Sequence, residues 1–150
     1  MLIGKLSDHR EVIPTLVEWF LSEWEPYYGA DGPGDARADL ESRCNRDAIP
    51  VGLVAIESDE VLGTVALDLD VSTNLTPSVV GLVVGQPFRR RGVATALLRA
   101  VEDLARRLGY RRIYVSTGAL GALLTRLGWE VRGDVRFLND EHGSVYVRNL

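Results

Sequence analysis

Cysteine is nearly absent from these 150 residues: Cys44 stands alone, beside two histidines and one methionine. A lone cysteine forbids an intrachain disulfide and suits a reducing compartment, so a cytoplasmic protein is expected. Two histidines and one cysteine offer no metal-ligand spacing, and no metal is expected. No apolar run reaches the ~18 residues that a membrane helix needs. The first residues, "MLIGKLSDHREV", turn polar too early for a signal peptide. Basic excess is lacking as well. The net charge is −4, whereas a general nucleic-acid or anionic-membrane binder is usually basic. There is no internal repeat, linker or low-complexity segment. What is present is ordinary for one soluble globular domain spanning residues 1–150, with 46% hydrophobic and 25% charged residues.

Periodicity supplies the elements. "LIGKLS" (2–7) reads as a strand. Ile13, Val17, Phe20 and Trp24 then recur at helical spacing, with Asp8 and Glu11 as an expected capping box and Pro14 in the first turns. "YYGADGPGD" is a loop by its glycines and proline, and "ARADLESRCNRD" a short polar helix. "VGLVAIES" and "VLGTVALDLD" form a hairpin around "SDE". "VSTNLTPS" reads as a loop, and "VVGLVV" as a central strand covered on both faces. The helix Gly92–Leu108 carries the stripe Val93, Leu97, Ala100, Val101, Leu104 and Leu108, and Gly109 stops it. "RRIYVST" is a strand, "ALGALLTRLG" a short helix, and "WEVRGDV" and "SVYVRNL" two closing strands around "RFLNDEHG". The order is β-α-α-β-β-β-α-β-α-β-β. Its strand–helix–strand unit, Val79–Val115, calls for a parallel pair with a right-handed crossover.

One stretch, "QPFRRRGVATALLRAVEDLA" (86–105), concentrates positive charge at the mouth of a helix in an acidic chain. The first amides of a helix have no partner within it, and its dipole places partial positive charge there. An anion is the natural complement. Gly92 lets backbone approach a phosphate, Ala94 and Thr95 are small, and Arg89, Arg90 and Arg91 add donors. The combination suits a pyrophosphate. It is not a P-loop, because the lysine of G-x-x-x-x-G-K-[ST] is missing, and it is not G-x-G-x-x-G.

Arg89-Arg90-Arg91-Gly92-Val93-Ala94, with its preceding strand, following helix, next strand and the "RLGW" of Arg126–Trp129, resembles the acetyl-CoA-binding half of the GNAT superfamily of N-acetyltransferases, whose signature is [QR]-x-x-G-x-[GA]. The resemblance covers about Thr76 to Trp129. It implies an α/β three-layer fold: a seven-stranded mixed sheet, splayed parallel fourth and fifth strands, and about four helices. Acetyl-CoA would be the cosubstrate. Leu82, Val83 and Val84 would line the pantetheine arm, with the Val84 amide polarising the thioester carbonyl as an oxyanion donor. The amides of Arg91, Gly92, Val93, Ala94 and Thr95 would hold the pyrophosphate, with Arg89 and Arg90 near it. Thr117, where relatives often carry asparagine, and Arg126 would also lie near the cofactor.

The implied reaction is direct attack of an amine on acetyl-CoA. A base, or a water chain to one, must take the amine's proton. Asp70 and His142 are the candidates, with Asp68, Glu23, Glu25 and Glu141 as further carboxylates. Many relatives place a proton-donating tyrosine where this chain has Leu124, so Ser116 and Thr117 are the alternative donors to the leaving sulfur. Tyr114 and Tyr146 read as packing, and Cys44 as a small buried residue. Of the aromatic group Trp19, Trp24, Tyr27 and Tyr28, the tryptophans read as core packing, and the tyrosine pair beside the glycine-rich loop is the candidate lining of an acceptor pocket. The acceptor would be a small amine or a peptide N-terminus, with no nucleic-acid or membrane partner, on a monomer or homodimer. The rival reading is an acyl-CoA-binding sensor or subunit that has lost catalysis.

Overall fold

A computed structural model describes residues 1–137 and 140–150. Leu138 and Asn139, in the loop expected between the last two strands, lie outside the described residues. Seven strands make one mixed sheet: β1 (Leu2–Lys5), β2 (Val51–Glu57), β3 (Glu60–Asp70), β4 (Leu75–Val84), β5 (Arg112–Thr117), β6 (Glu130–Arg136) and β7 (His142–Asn149). Their spatial order is β1-β2-β3-β4-β5-β7-β6. The α-helices among the described residues are α1 (Ile13–Glu23), α2 (Glu25–Tyr28), α3 (Ala36–Ser42), α4 (Val93–Arg107) and α5 (Gly121–Arg126).

The architecture is the expected one, with one more helix. The first helix breaks at Trp24 because Pro26 has no N–H to give the Ser22 carbonyl and its ring crowds that turn. Two other expectations fail. Asp8 caps nothing: residues 6–8 and 10–12 wind as two 3₁₀ turns, α1 starts after Val12 without a side-chain cap, and Asp8 pairs with Arg46 instead. The segment Leu75–Ser78, expected as loop, already belongs to β4. Pro77 is tolerated there because the β3–β4 register shifts opposite Asp68–Asp70, so no ladder bond is demanded of it.

Strand alternation sends side chains to two separate cores, giving three layers. On one face Phe20 and Leu16 of α1 and Leu40 of α3 pack against Val54, Val61 and Val83. On the other, Leu97, Val101 and Leu104 of α4 and Leu124 of α5 pack against Leu53, Val65, Leu67 and Ile113. Leu97 and Leu98 are fully buried, and each such leucine contributes about 1.5–3 kcal/mol of transfer free energy. Glu102, nearly buried on α4, pairs with Arg148 of β7 at 3.3 Å and ties the helix to the far half of the sheet.

The connection β4–α4–β5 is the parallel crossover expected. Its pairing is what positions the site. Ten-residue β4 and six-residue β5 are in register at one position, Ser78 opposite Tyr114. Beyond it toward Val84 the two strands part, and the sheet opens at the end where α4 begins. The described helices include none long and apolar enough to cross a membrane.

Candidate active site

Gly92 turns the chain into α4. Its φ is +78°, in the left-handed region, and a Cβ placed there would meet nothing within 4 Å. Space is therefore open directly outside the helix mouth. The first helical hydrogen bond runs from the Ala96 amide to the Gly92 carbonyl at 3.0 Å. The amides of Val93, Ala94 and Thr95 precede that bond and have no partner in the helix. Val93 turns its side chain into the core, and the first amides point along the helix axis out of its mouth. The helix mouth thus combines open space at Gly92 with three amides that have no partner in the helix.

The arginines are less uniform than the pattern suggests. Arg89 donates from Nε to the Val84 carbonyl at 3.1 Å and pairs through Nη2 with Glu23, at the end of α1, at 3.3 Å. Arg91 pairs with Glu57 at 3.1 Å and lies over the Phe88 ring. Arg90, with φ +65°, has no ion pair among the described residues. Two carboxylates thus neutralise two of the three charges, which agrees with an acidic chain that holds a local basic site without a broad basic surface.

At the opening of β4 and β5, ladder alternation decides where the Val84 backbone points. Val84 stands opposite Gly63, while the Gly85 amide donates to Leu62 at 2.9 Å. Bonded and non-bonded pairs alternate in an antiparallel ladder. Gly85–Leu62 is bonded, so Val84–Gly63 is not, and the N–H and C=O of Val84 face away from β3. The Arg89 bond to that carbonyl agrees. The Val84 amide is therefore a donor directed into the splay. Leu82 and Val83 precede it, Val83 turning its side chain into the α1 core.

A bulge sets this strand end. The β3–β4 register shifts between Thr64 and Ala66, and Gly81 there has φ +62°. A Cβ on Gly81 would lie 2.7 Å from Arg43 Nη1. Arg43, 7% exposed, sits over Phe20 with its centre 5.8 Å from the ring, and its Nε lies 3.9 Å from Asp68. That Nε has no hydrogen-bond partner among the described residues. Sequence reasoning missed Arg43, because an arginine in "LESRCNRD" carries no sign that it will be buried under a bulge.

The other candidates scatter. Asp70 is a strut rather than a free base: its carboxylate accepts from Ser116 Oγ at 2.7 Å and from the Ser72 amide at 2.9 Å, bracing β3 against β5. That also occupies the Ser116 proton. Thr117 Oγ accepts from the Ala119 and Leu120 amides at 3.1 and 3.2 Å and starts the turn into α5. His142 is exposed at the start of β7, and Arg126 is exposed at the end of α5. Cys44 donates to the Leu40 carbonyl at 3.7 Å. Leu124 is wholly buried in the core and faces no opening. Tyr146 packs against the main core, as expected, and its hydroxyl lies 2.4 Å from where a Gly121 Cβ would be, at the first turn of α5, with no hydrogen-bond partner among the described residues. Glycine at 121 makes room for it.

At the end of α1, Phe20, Trp24, Tyr27 and Tyr28 interlock, with centroid separations of 4.7–6.4 Å. Burial and the bond Tyr28 donates to Asp39, 2.7 Å long, raise the Tyr28 phenol well above its ordinary value. The Tyr114 phenol moves the other way. Slight desolvation raises it, but bonds from Arg112 and Arg132 outweigh that and lower it.

The acetyltransferase (GNAT) family model matches residues 13–129. The chain belongs to the GNAT acetyltransferase family. The resemblance seen in Arg89–Ala94 is thus a family relation that reaches well upstream of the signature. No curated protein matches the sequence. Solved structures share its fold. An aminoglycoside 6'-N-acetyltransferase complexed with coenzyme A superposes with a TM-score of 0.81 at 15% identity, over 99% of this chain and 97% of that one. An aminoglycoside 6'-N-acetyltransferase from Enterococcus faecium gives 0.78 at 15% identity, over 99% and 97%. A ribosomal-protein-alanine N-acetyltransferase from Brucella melitensis gives 0.76 at 18% identity, over the full length of both chains.

Proposed function

We propose that this GNAT acetyltransferase moves an acetyl group from acetyl-CoA to a primary amine by direct attack. The observation that carries this is the Val84 amide. It is an unpaired donor turned into the splay, on the strand that leads through a short loop to the helix-mouth cradle at Gly92. The residues fit the cosubstrate. Open space at Gly92 and the free amides of Val93, Ala94 and Thr95 suit a diphosphate, with Arg90 beside it. Leu82, Val83 and Val84 would line the pantetheine arm. Arg91 adds charge at the loop, Thr117 flanks the opening from β5, and Arg126 is left as a peripheral charge.

The chemistry follows from these placements. A donor fixed on the carbonyl oxygen stabilises the charge that develops as the amine attacks, and removing one such donor typically costs ~10²–10³ in rate. His142 is the better base candidate, reached through water, because Asp70 is engaged as a strut. The leaving thiolate takes its proton from the Tyr146 hydroxyl beside α5, which is restored from solvent, where the proton from the attacking amine is released through the base; Leu124 has no proton to give.

Among acceptors, a small cationic amine is favoured over a peptide N-terminus. Glu23, Glu25 and Asp31 are exposed around the aromatic wall, and a surface cavity of about 360 Å³ is lined by Glu25, Pro26, Gly29, Ala30, Asp31 and Gly32. Opposite charge steers a cation there. The test is free-thiol release from acetyl-CoA with aminoglycosides, polyamines and short peptides. Release with a small polycation supports the reading, release with peptides alone reassigns the acceptor, and binding without release with any amine makes the chain an acyl-CoA sensor.

A further inference from the structure

The Arg89–Glu23 ion pair joins two walls that the reaction uses separately. Glu23 ends α1, next to the aromatic wall, and Arg89 lies 66 positions away in the loop before the cradle. The same guanidinium holds the Val84 carbonyl through Nε at 3.1 Å and Glu23 through Nη2 at 3.3 Å. A carboxylate therefore sits on the arginine that leads the anion site, within one side chain of the residue that faces the splay. Glu57 does the same on Arg91. Both partners of the Arg89 pair are about half exposed, so the contact is weak enough to be exchanged for a stronger one. A doubly charged diphosphate with several free oxygens is that stronger partner.

We propose that Glu23 is an internal stand-in for the cofactor's phosphate at Arg89, and that cofactor binding displaces it and releases the end of α1 on the acceptor side. This rests on acetyl-CoA as the cosubstrate and adds a coupling between the two halves of the site. The released segment is well defined. Beyond Glu23 the helix breaks at Trp24, and the amides of Tyr27 and Tyr28 both donate to the Trp24 carbonyl, at 3.1 and 2.9 Å. Loss of the Arg89 anchor loosens this short turn, and it frees an exposed carboxylate beside the aromatic wall for an incoming cation. The two anions compete for one cation, so removing the internal one strengthens binding of the external one.

The test compares the native chain with Glu23→Gln, and with Glu18→Gln as a control of equal charge change on the same helix, Glu18 being exposed and without an ion pair among the described residues. Calorimetric titration with CoA gives the dissociation constant, and hydrogen exchange follows residues 24–28 with and without CoA. Glu23→Gln binds CoA about two- to five-fold more tightly, the range set by an exposed ion pair. Glu18→Gln binds as the native chain does. CoA speeds exchange over residues 24–28 in the native chain and leaves Glu23→Gln, already released, unchanged. Equal CoA affinity in Glu23→Gln and Glu18→Gln, or equal protection of residues 24–28 by CoA in all three proteins, overturns the proposal while leaving acetyl-CoA as the cosubstrate. A native chain that does not bind CoA overturns both.

Discussion

Replacing Gly92 by aspartate separates the fold from the binding site more cleanly than any other single change. The backbone at 92 has φ +78°, which costs a non-glycine residue about 1–2 kcal/mol. Sterically the change is free, because a Cβ there meets nothing within 4 Å. For a domain of this size 1 kcal/mol is worth about 2–4 °C in Tm, so the variant melts a few degrees low and remains folded. Binding suffers far more. The new carboxylate projects into the open space at the helix mouth, where the diphosphate would lie. Two like charges ~4 Å apart repel by about 1 kcal/mol in water and about 4 kcal/mol at an effective dielectric constant of 20. That is a loss of affinity of roughly five-fold to 10³-fold. Gly92→Ala is the control, with the same backbone strain and no charge. The assay is a melting scan of both variants with CoA up to millimolar concentration, backed by calorimetry. Gly92→Ala should keep most of the CoA shift and Gly92→Asp should lose it. An undiminished shift in Gly92→Asp would place the phosphates elsewhere and refute the cradle.

Other outcomes follow from the same geometry. The native chain gains about 2.7 kcal/mol at CoA concentrations ~100 times the dissociation constant, which a melting scan reads as roughly 5–11 °C. Leu124→Tyr, which the sequence suggests would restore a proton donor, instead overpacks a fully buried site; it destabilises by about 1–3 kcal/mol and does not raise turnover, as paired melting and thiol-release measurements show. Tyr146→Phe keeps stability and CoA affinity but lowers kcat by up to ~10²-fold, with the largest loss below pH 8, where the departing sulfur most needs a proton; an unchanged pH–rate profile removes Tyr146 from the mechanism. The Tyr28 phenol is raised above its ordinary value of 10.0. Its neutral form therefore contributes stability that is fully present below pH 10 and is lost as pH rises toward the folded value. Alkaline melting should show that loss in the native chain and not in Tyr28→Phe, which is itself about 0.5–1.5 kcal/mol less stable at neutral pH.

The helix mouth proposed for the cofactor was legible in the sequence because its geometry is built from backbone. A glycine at a helix mouth, small residues after it and an apolar strand before it dictate free amides and open space, and periodicity alone locates them. The splay of β4 and β5 was implied by family resemblance only. No residue pattern states that two parallel strands will pair at Ser78 and Tyr114 and then part. The side-chain half was largely illegible. Asp70 has the composition of a base and the geometry of a strut, because Ser116 arrives from a strand 46 positions away. Arg43 and Tyr146 take their meaning from Gly81 and Gly121, whose missing Cβ atoms make room for them. Glu23 carried no signal of its contact with Arg89, since a carboxylate at a helix end usually faces water. Tertiary contacts between distant segments decided each case. The misplaced cap at Asp8 is a local failure of another kind, in which two 3₁₀ turns with buried Leu6 and Val12 override a favourable capping pattern.

The most direct measurement is a coupled one: free-thiol release from acetyl-CoA in the presence of a small polycationic amine, with the mass of the amine followed in the same reaction. Thiol release that requires the amine, together with a gain of one acetyl group on that amine, is the predicted result. Tight CoA binding with no thiol released for any amine, or thiol released at the same rate without one, would contradict amine acetylation as the activity of this chain.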